Sequence, residues 1–297
     1  MVNAQDDAHA SASPSSHAVP LHPVFAFIVA FILTTFIFQA LPGKTLVLSF
    51  MQGLLLSALM LVIVKLSDRK ALAKPKSAGV LGRWIIYVLL VAALSGVVTF
   101  YLVRVGLRGF ELNELALRLC VVCAVCLVTG IFEEALFRVL AINAFVIAFD
   151  SKRTRLIDSS PLQTNAVFKA ALLSAILFAF LHISIAGLTS GHAMVQLQTI
   201  IKFFQTALFG LIMAAFYIRT KSLWLIALMH TVFDILYLGP VMMAHGIPSA
   251  LVTNEPVNLI LLAVTTALLL APAISAVQYI KDTPTEALAA GETSAYE

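Results

Sequence analysis

The chain has 297 residues, 61% of them hydrophobic and only 11% charged, with a formal net charge of +4. A soluble domain carries about 25% charged and about 45–50% apolar residues. Ordinary globular and disordered classes are therefore excluded, and an integral membrane protein is implied. The basic residues form no stripe interleaved with aromatics, so no nucleic-acid partner is expected.

Residues 1–23 are rich in Ala, Ser, His and Pro, hold no Lys or Arg, and read as a disordered tail. Without a basic n-region, no cleaved signal peptide is expected. Apolar stretches near the ~20 residues that a bilayer core demands then predict spans at about 24–41, 45–66, 84–105, 115–149, 167–187, 199–218, 222–238 and 257–280. The expected fold class is an all-α integral membrane protein, a bundle of about eight transmembrane helices around a polar intramembrane site. It divides into N-terminal spans (24–110), a core (111–240), an outer loop with the last span (241–280) and a C-terminal tail (281–297). At 1.5 Å per residue the fourth span would reach ~52 Å, so it is expected either to tilt and protrude or to break near Gly130.

Lys65, Arg69, Lys70, Lys74, Lys76, Arg83, Lys152, Arg153, Arg155, Lys169, Arg219, Lys221 and Lys281 fall on one side of this topology. Lys44, Arg104, Arg108 and Arg118 fall on the other. The excess of basic loops marks the cytoplasmic side, which gives a multi-pass inner-membrane protein with both termini cytoplasmic.

The informative residues are the ionisable ones at bilayer depth: Glu133, Glu134 and Arg138 in the fourth span, His182 in the fifth, His230 and Asp234 in the seventh. Each costs at least ~2.5–3.5 kcal/mol to place in hydrocarbon, so the set implies spans packed around one site. Glu134 and Arg138 are i and i+4 and share a helix face; so do His230 and Asp234. Glu133 is rotated ~100° from Glu134, leaving one glutamate for the arginine and one free to act as a base. Phe178, one turn before His182, is expected to wall the pocket. Counted from the cytoplasmic ends, Glu133 and His182 lie ~24 and ~22 Å deep but His230 only ~12 Å, so the seventh helix must tilt or start deeper.

Other polar or unusual residues read as ordinary membrane features. Cys120, Cys123 and Cys126 serve as small apolar residues, Trp84 and Trp224 as interfacial anchors, and Lys202 as a side chain snorkelling outward. No HExxH occurs, and Ser190-Gly191 lacks the glycine of a nucleophile elbow. A zinc site of Glu133, His182 and His230 stays open, since a His₂Glu set holds zinc with one free position.

Glu133-Glu134-x-x-x-Arg138, Phe178-x-x-x-His182 and His230-x-x-x-Asp234, in that order on three spans, resemble the motifs of the CAAX protease and bacteriocin-processing family. Gly210 and the run Arg219-Thr-Lys-Ser-Leu-Trp224 add to the likeness, which covers about residues 115–238. These are intramembrane glutamic endopeptidases whose eukaryotic members cleave prenylated CAAX proteins. The resemblance implies that Glu133 activates a water held by His182, that Glu134 and Arg138 support the site, and that His230 with residue 234 stabilises the oxyanion. It also implies metal-free chemistry on a membrane-associated protein or peptide. The CAAX-cleaving members carry Asn at the last position; Asp234 as a carboxylate would repel an oxyanion, so it must be protonated or act by orienting His230. Two other functions fit the same residues: a non-catalytic protein acting in bacteriocin immunity or partner binding, and a proton-coupled carrier using the set as a relay.

Overall fold

The computed structural model describes residues 21–41, 45–75, 82–150, 164–246 and 252–282. The tails expected at 1–23 and 281–297 lie almost wholly outside them, as do Lys44, Lys76, Lys152, Arg153 and Arg155. Lipid offers no partner for backbone N–H and C=O groups, so apolar segments close their hydrogen bonds internally as helices. These are α1 (Pro23–Ala40), α2 (Leu46–Ser67), a 3₁₀ turn (Arg69–Leu72), α3 (Gly82–Leu107), α4 (Leu112–Glu134), a π-helical segment (Ala135–Ala141), α5 (Ile142–Phe149), α6 (Thr164–Leu181), α7 (Ile185–Leu188), α8 (Ala193–Thr220), α9 (Leu223–Tyr237), α10 (Gly239–His245) and α11 (Pro256–Asp282). Pro23 opens α1 at a position where its missing N–H costs nothing. Thr45 caps α2, its hydroxyl accepting the Leu48 N–H at 3.2 Å. Large apolar side chains such as Phe36, Leu94, Val97 and Ile260 point outward and are 60% or more exposed, as a lipid-facing surface requires.

Among the described residues, six helices are long and apolar enough to cross a bilayer, and a seventh span appears if α9 and α10, bent by 57°, count as one. The fifth stretch, α6, is apolar but shorter than that, so six to seven spans meet this length and the expected count of eight is not confirmed. Of the two alternatives for the fourth span, the break near Gly130 does not occur. Leu112 to Phe149 is one 38-residue span. Its irregularity sits further along, where the π segment follows Glu134 directly. Such widened turns concentrate at functional sites, and this one contains Arg138.

Hydrogen bonds define the two ends of the bundle. At one end Leu21 N–H donates to the Leu66 carbonyl (2.8 Å), and Asp68 Oδ2 accepts from Asn143 Nδ2 (2.9 Å) and Tyr217 OH (3.4 Å). There too Ser222 Oγ and Trp224 Nε1 donate to the carbonyls of Ala73 (2.9 Å) and Leu72 (3.0 Å). At the opposite end Gln52 Nε2 donates to the Leu41 carbonyl (2.7 Å), Arg118 Nη1 to that of Met243 (3.1 Å) and Gln198 Nε2 to that of Glu255 (2.8 Å). The first is called the basic end here, because Arg69, Lys70, Arg83, Arg219, Lys221 and Lys281 lie on the elements that meet there.

The depth discrepancy of α9 resolves at its start. The α8–α9 corner is tight: Lys221 adopts the left-handed conformation (φ 50°), its N–H bonded to the Tyr217 carbonyl at 2.8 Å. Thr220, Ser222 and Leu223 are buried beneath the 3₁₀ turn. The seventh helix therefore begins inside the protein rather than at its surface.

Candidate active site

Two close helix contacts bring the motif residues together. Gly130 lies against α9, where a Cβ would stand 2.7 Å from Thr231 Oγ1 and 2.9 Å from the Ala227 carbonyl oxygen. Only glycine permits this approach, three residues before Glu133 and beside the turn that carries His230. Gly210 does the same between α8 and α6, where a Cβ would meet Ala175 at 3.1 Å. Ser174 Oγ donates to the Phe137 carbonyl inside the π segment at 2.6 Å and fixes α6 to it.

All six predicted residues meet. Glu134, fully buried, spans Arg138 and His230: its Oε2 lies 3.2 Å from Arg138 Nε, and its Oε1 accepts from His230 Nδ1 at 2.7 Å. Arg138 is also fully buried, with its guanidinium 4.2 Å from the Phe178 ring centroid. Glu133 points elsewhere, as its rotation on the helix requires. Its Oε1 lies 3.6 Å from His182 Nε2 and its Oε2 3.7 Å from His230 Nε2. Oε2 is buried and makes no hydrogen bond within the described structure. Asp234 Oδ2 stands 3.4 Å from His230 Nε2.

The histidine protons follow from their partners. His182 Nδ1 lies 2.7 Å from the Phe178 carbonyl, which only accepts, so Nδ1 donates and Nε2 faces Glu133. His230 Nδ1 donates to Glu134 in the same way and directs its Nε2 toward Glu133 and Asp234. Phe178 walls the site as expected, with ring centroids 4.2 Å from His182 and 6.0 Å from His230. His182 does not sit within a helix, as the fifth predicted span had it. The helix stops at Leu181, and the histidine lies on the turn beyond, its side chain 30% exposed.

Glu133, Phe178, His182, His230 and Asp234 line a cavity of about 560 Å³. Lys202 lines it too, which corrects the outward snorkelling expected from sequence. Its Nζ donates to Gln205 Oε1 at 3.2 Å, and Gln205 Nε2 donates in turn to Tyr237 OH (3.1 Å) and to Thr265 Oγ1. The apolar frame of α8 hid this network, although a Lys and a Gln three apart inside a span signal an inward polar face. Of the three cysteines, only Cys126 reaches the cavity; Cys120 is exposed and all three are free thiols. Among the described residues no group of three or more His, Cys, Asp or Glu is placed to hold a metal ion.

Residues 115–236, from α4 into α9, match the model of a family described as type II CAAX prenyl endopeptidase Rce1-like. This segment is similar to the core of a CAAX-protease family. It contains all six residues and both glycine contacts, while α1, α2, α3 and α11 lie outside the matched segment. Comparisons with curated proteins and with solved structures return no match. The chain is thus a multi-pass helical membrane protein in which one segment is similar to an endopeptidase family.

Proposed function

We propose that this protein is an intramembrane endopeptidase of the glutamic type, acting on a membrane-associated protein or peptide. The observation that carries the reading is the placement of both histidine Nε2 atoms against the two oxygens of one buried carboxylate, Glu133, on the wall of a cavity. A water between Glu133 and His182 would donate one proton to each and aim its oxygen at a scissile carbonyl. Glu133 takes the proton as the C–O bond forms, then returns it to the departing amine as the C–N bond breaks. His230, protonated on both nitrogens, donates its Nε2–H to the oxyanion of the tetrahedral intermediate. Asp234 acts through His230 by holding that ring, which reconciles a carboxylate at this position with the chemistry. Glu134 and Arg138 fix the His230 ring and the turn behind Glu133. No step needs a metal. The basic end faces the cytoplasm of the inner membrane, and with it both ends of the chain's membrane region.

Paired substitutions in purified, reconstituted protein test this reading. Glu133→Gln abolishes cleavage of substrate peptides and leaves the fold intact. Glu134→Gln strands the buried Arg138 and costs ~3–5 kcal/mol of stability, as removing one member of a buried pair does. Cleavage retained in Glu133→Gln refutes the mechanism, and loss of activity to a chelator with recovery on zinc addition refutes its metal-free form. Substrate flux in vesicles that depends on a pH gradient would establish the carrier instead.

A further inference from the structure

The cavity is one-sided. Its α2 lining, from Ser49 to Leu56, comes from the half of that helix next to Leu41 and away from Asp68. Its α9 lining begins at His230 and runs to the far end of the helix, beyond Tyr237. The α8 lining stops at Phe209, and none comes from residues 210–220. Polar side chains continue outward from Glu133 through Thr129, Gln205, Lys202, Gln52 and Ser49, a wettable path. Phe38, at the outermost rim, is 47% exposed.

Toward the basic end the path is shut. Leu140, Ala170, Ile212, Leu223 and Ile226 are at most 1% exposed. Beyond them stands the Asp68–Asn143–Tyr217 cluster, with Ser222 and Trp224 bonded to the 3₁₀ turn.

Charge assigns the two ends. Among the described residues, nine Lys and Arg lie on the loops and span ends of the closed side and three on those of the open side. Basic loops stay in the cytoplasm, so the closed side is cytoplasmic and the open side external. We infer that the cavity takes its substrate from the extracytoplasmic face. The scissile bond then belongs to an exported peptide or to the external stretch of a membrane-anchored protein, and not to a polypeptide confined to the cytoplasm. α9 ends seven residues beyond His230, which places the site ~10 Å below that rim at 1.5 Å per residue. An extended chain reaches it with ~3 residues at ~3.3–3.6 Å each, so the bond lies in a short unstructured segment beside the substrate's anchor or terminus.

This rests on the endopeptidase reading for what the cavity does, but not for where it opens. The test uses single cysteines in a background with Cys120, Cys123 and Cys126 replaced by Ala: Ser49→Cys at the rim and Lys70→Cys at the basic end. A membrane-impermeant sulfonated maleimide is applied to right-side-out and to inverted vesicles. Ser49→Cys is expected to label at least tenfold faster right-side-out, and Lys70→Cys at least tenfold faster inverted. Phe38→Cys replaces Ser49→Cys if the latter does not fold. Rim labelling from the cytoplasmic side, from both sides equally or from neither overturns the inference, as does Lys70→Cys labelling from outside. The expected labelling without Glu133-dependent cleavage refutes the protease and leaves the external opening standing. Cleavage with rim labelling only in inverted vesicles does the reverse.

Discussion

Gly130→Ala probes the contact on which the site depends. The added methyl would stand 2.9 Å from the Ala227 carbonyl oxygen and 2.7 Å from Thr231 Oγ1. The hydroxyl can rotate away, but the carbonyl is backbone, so α9 must retreat by several tenths of an ångström. His230 moves with it, and its 2.7 Å bond to Glu134 lengthens. Overpacking costs ~1–3 kcal/mol, a weakened bond to a charged group ~1.5–3, and the gain in helix propensity offsets ~1. The net loss is about 1.5–5 kcal/mol. A displacement approaching 1 Å at catalytic groups costs up to ~10²-fold in rate. Thermal unfolding in detergent and peptide-cleavage rates read the two effects, with Gly109→Ala, where a Cβ meets nothing within 4 Å, as control. A Gly130→Ala protein as stable and as active as the control would refute the idea that the α4–α9 approach sets the site.

Gln205→Leu leaves Lys202, Tyr237 and Thr265 each short of a partner and is expected to cost ~1–3 kcal/mol in a thermal melt, although none of the motif residues is touched. An unchanged melting temperature would mean that Lys202 has another partner. Ser222→Ala with Trp224→Phe removes both bonds to the 3₁₀ turn and should lower stability by ~1–2 kcal/mol. Hydrogen exchange should then rise first around residues 69–75, and a uniform rise would disprove a local clamp.

Composition and spacing alone point to the membrane class, the approximate helices and the candidate residues. These are legible because the cost of a charge in hydrocarbon is local: Glu133, Glu134, Arg138, His182, His230 and Asp234 each violate the composition around them, whatever the packing. The i, i+4 spacings of Glu134 with Arg138 and of His230 with Asp234 are likewise fixed by helix geometry alone. Direction was not legible. A helix that is apolar on every side, as α1 and α2 are, carries no pattern to set its rotation. On α8, Lys202 reads as snorkelling outward until its packing shows it turned into the cavity beside Gln205. The π segment after Glu134 and the buried start of α9 depend on contacts between segments far apart in the chain. So does the one-sided opening, since a cavity is made by the gaps between helices and no single helix encodes it.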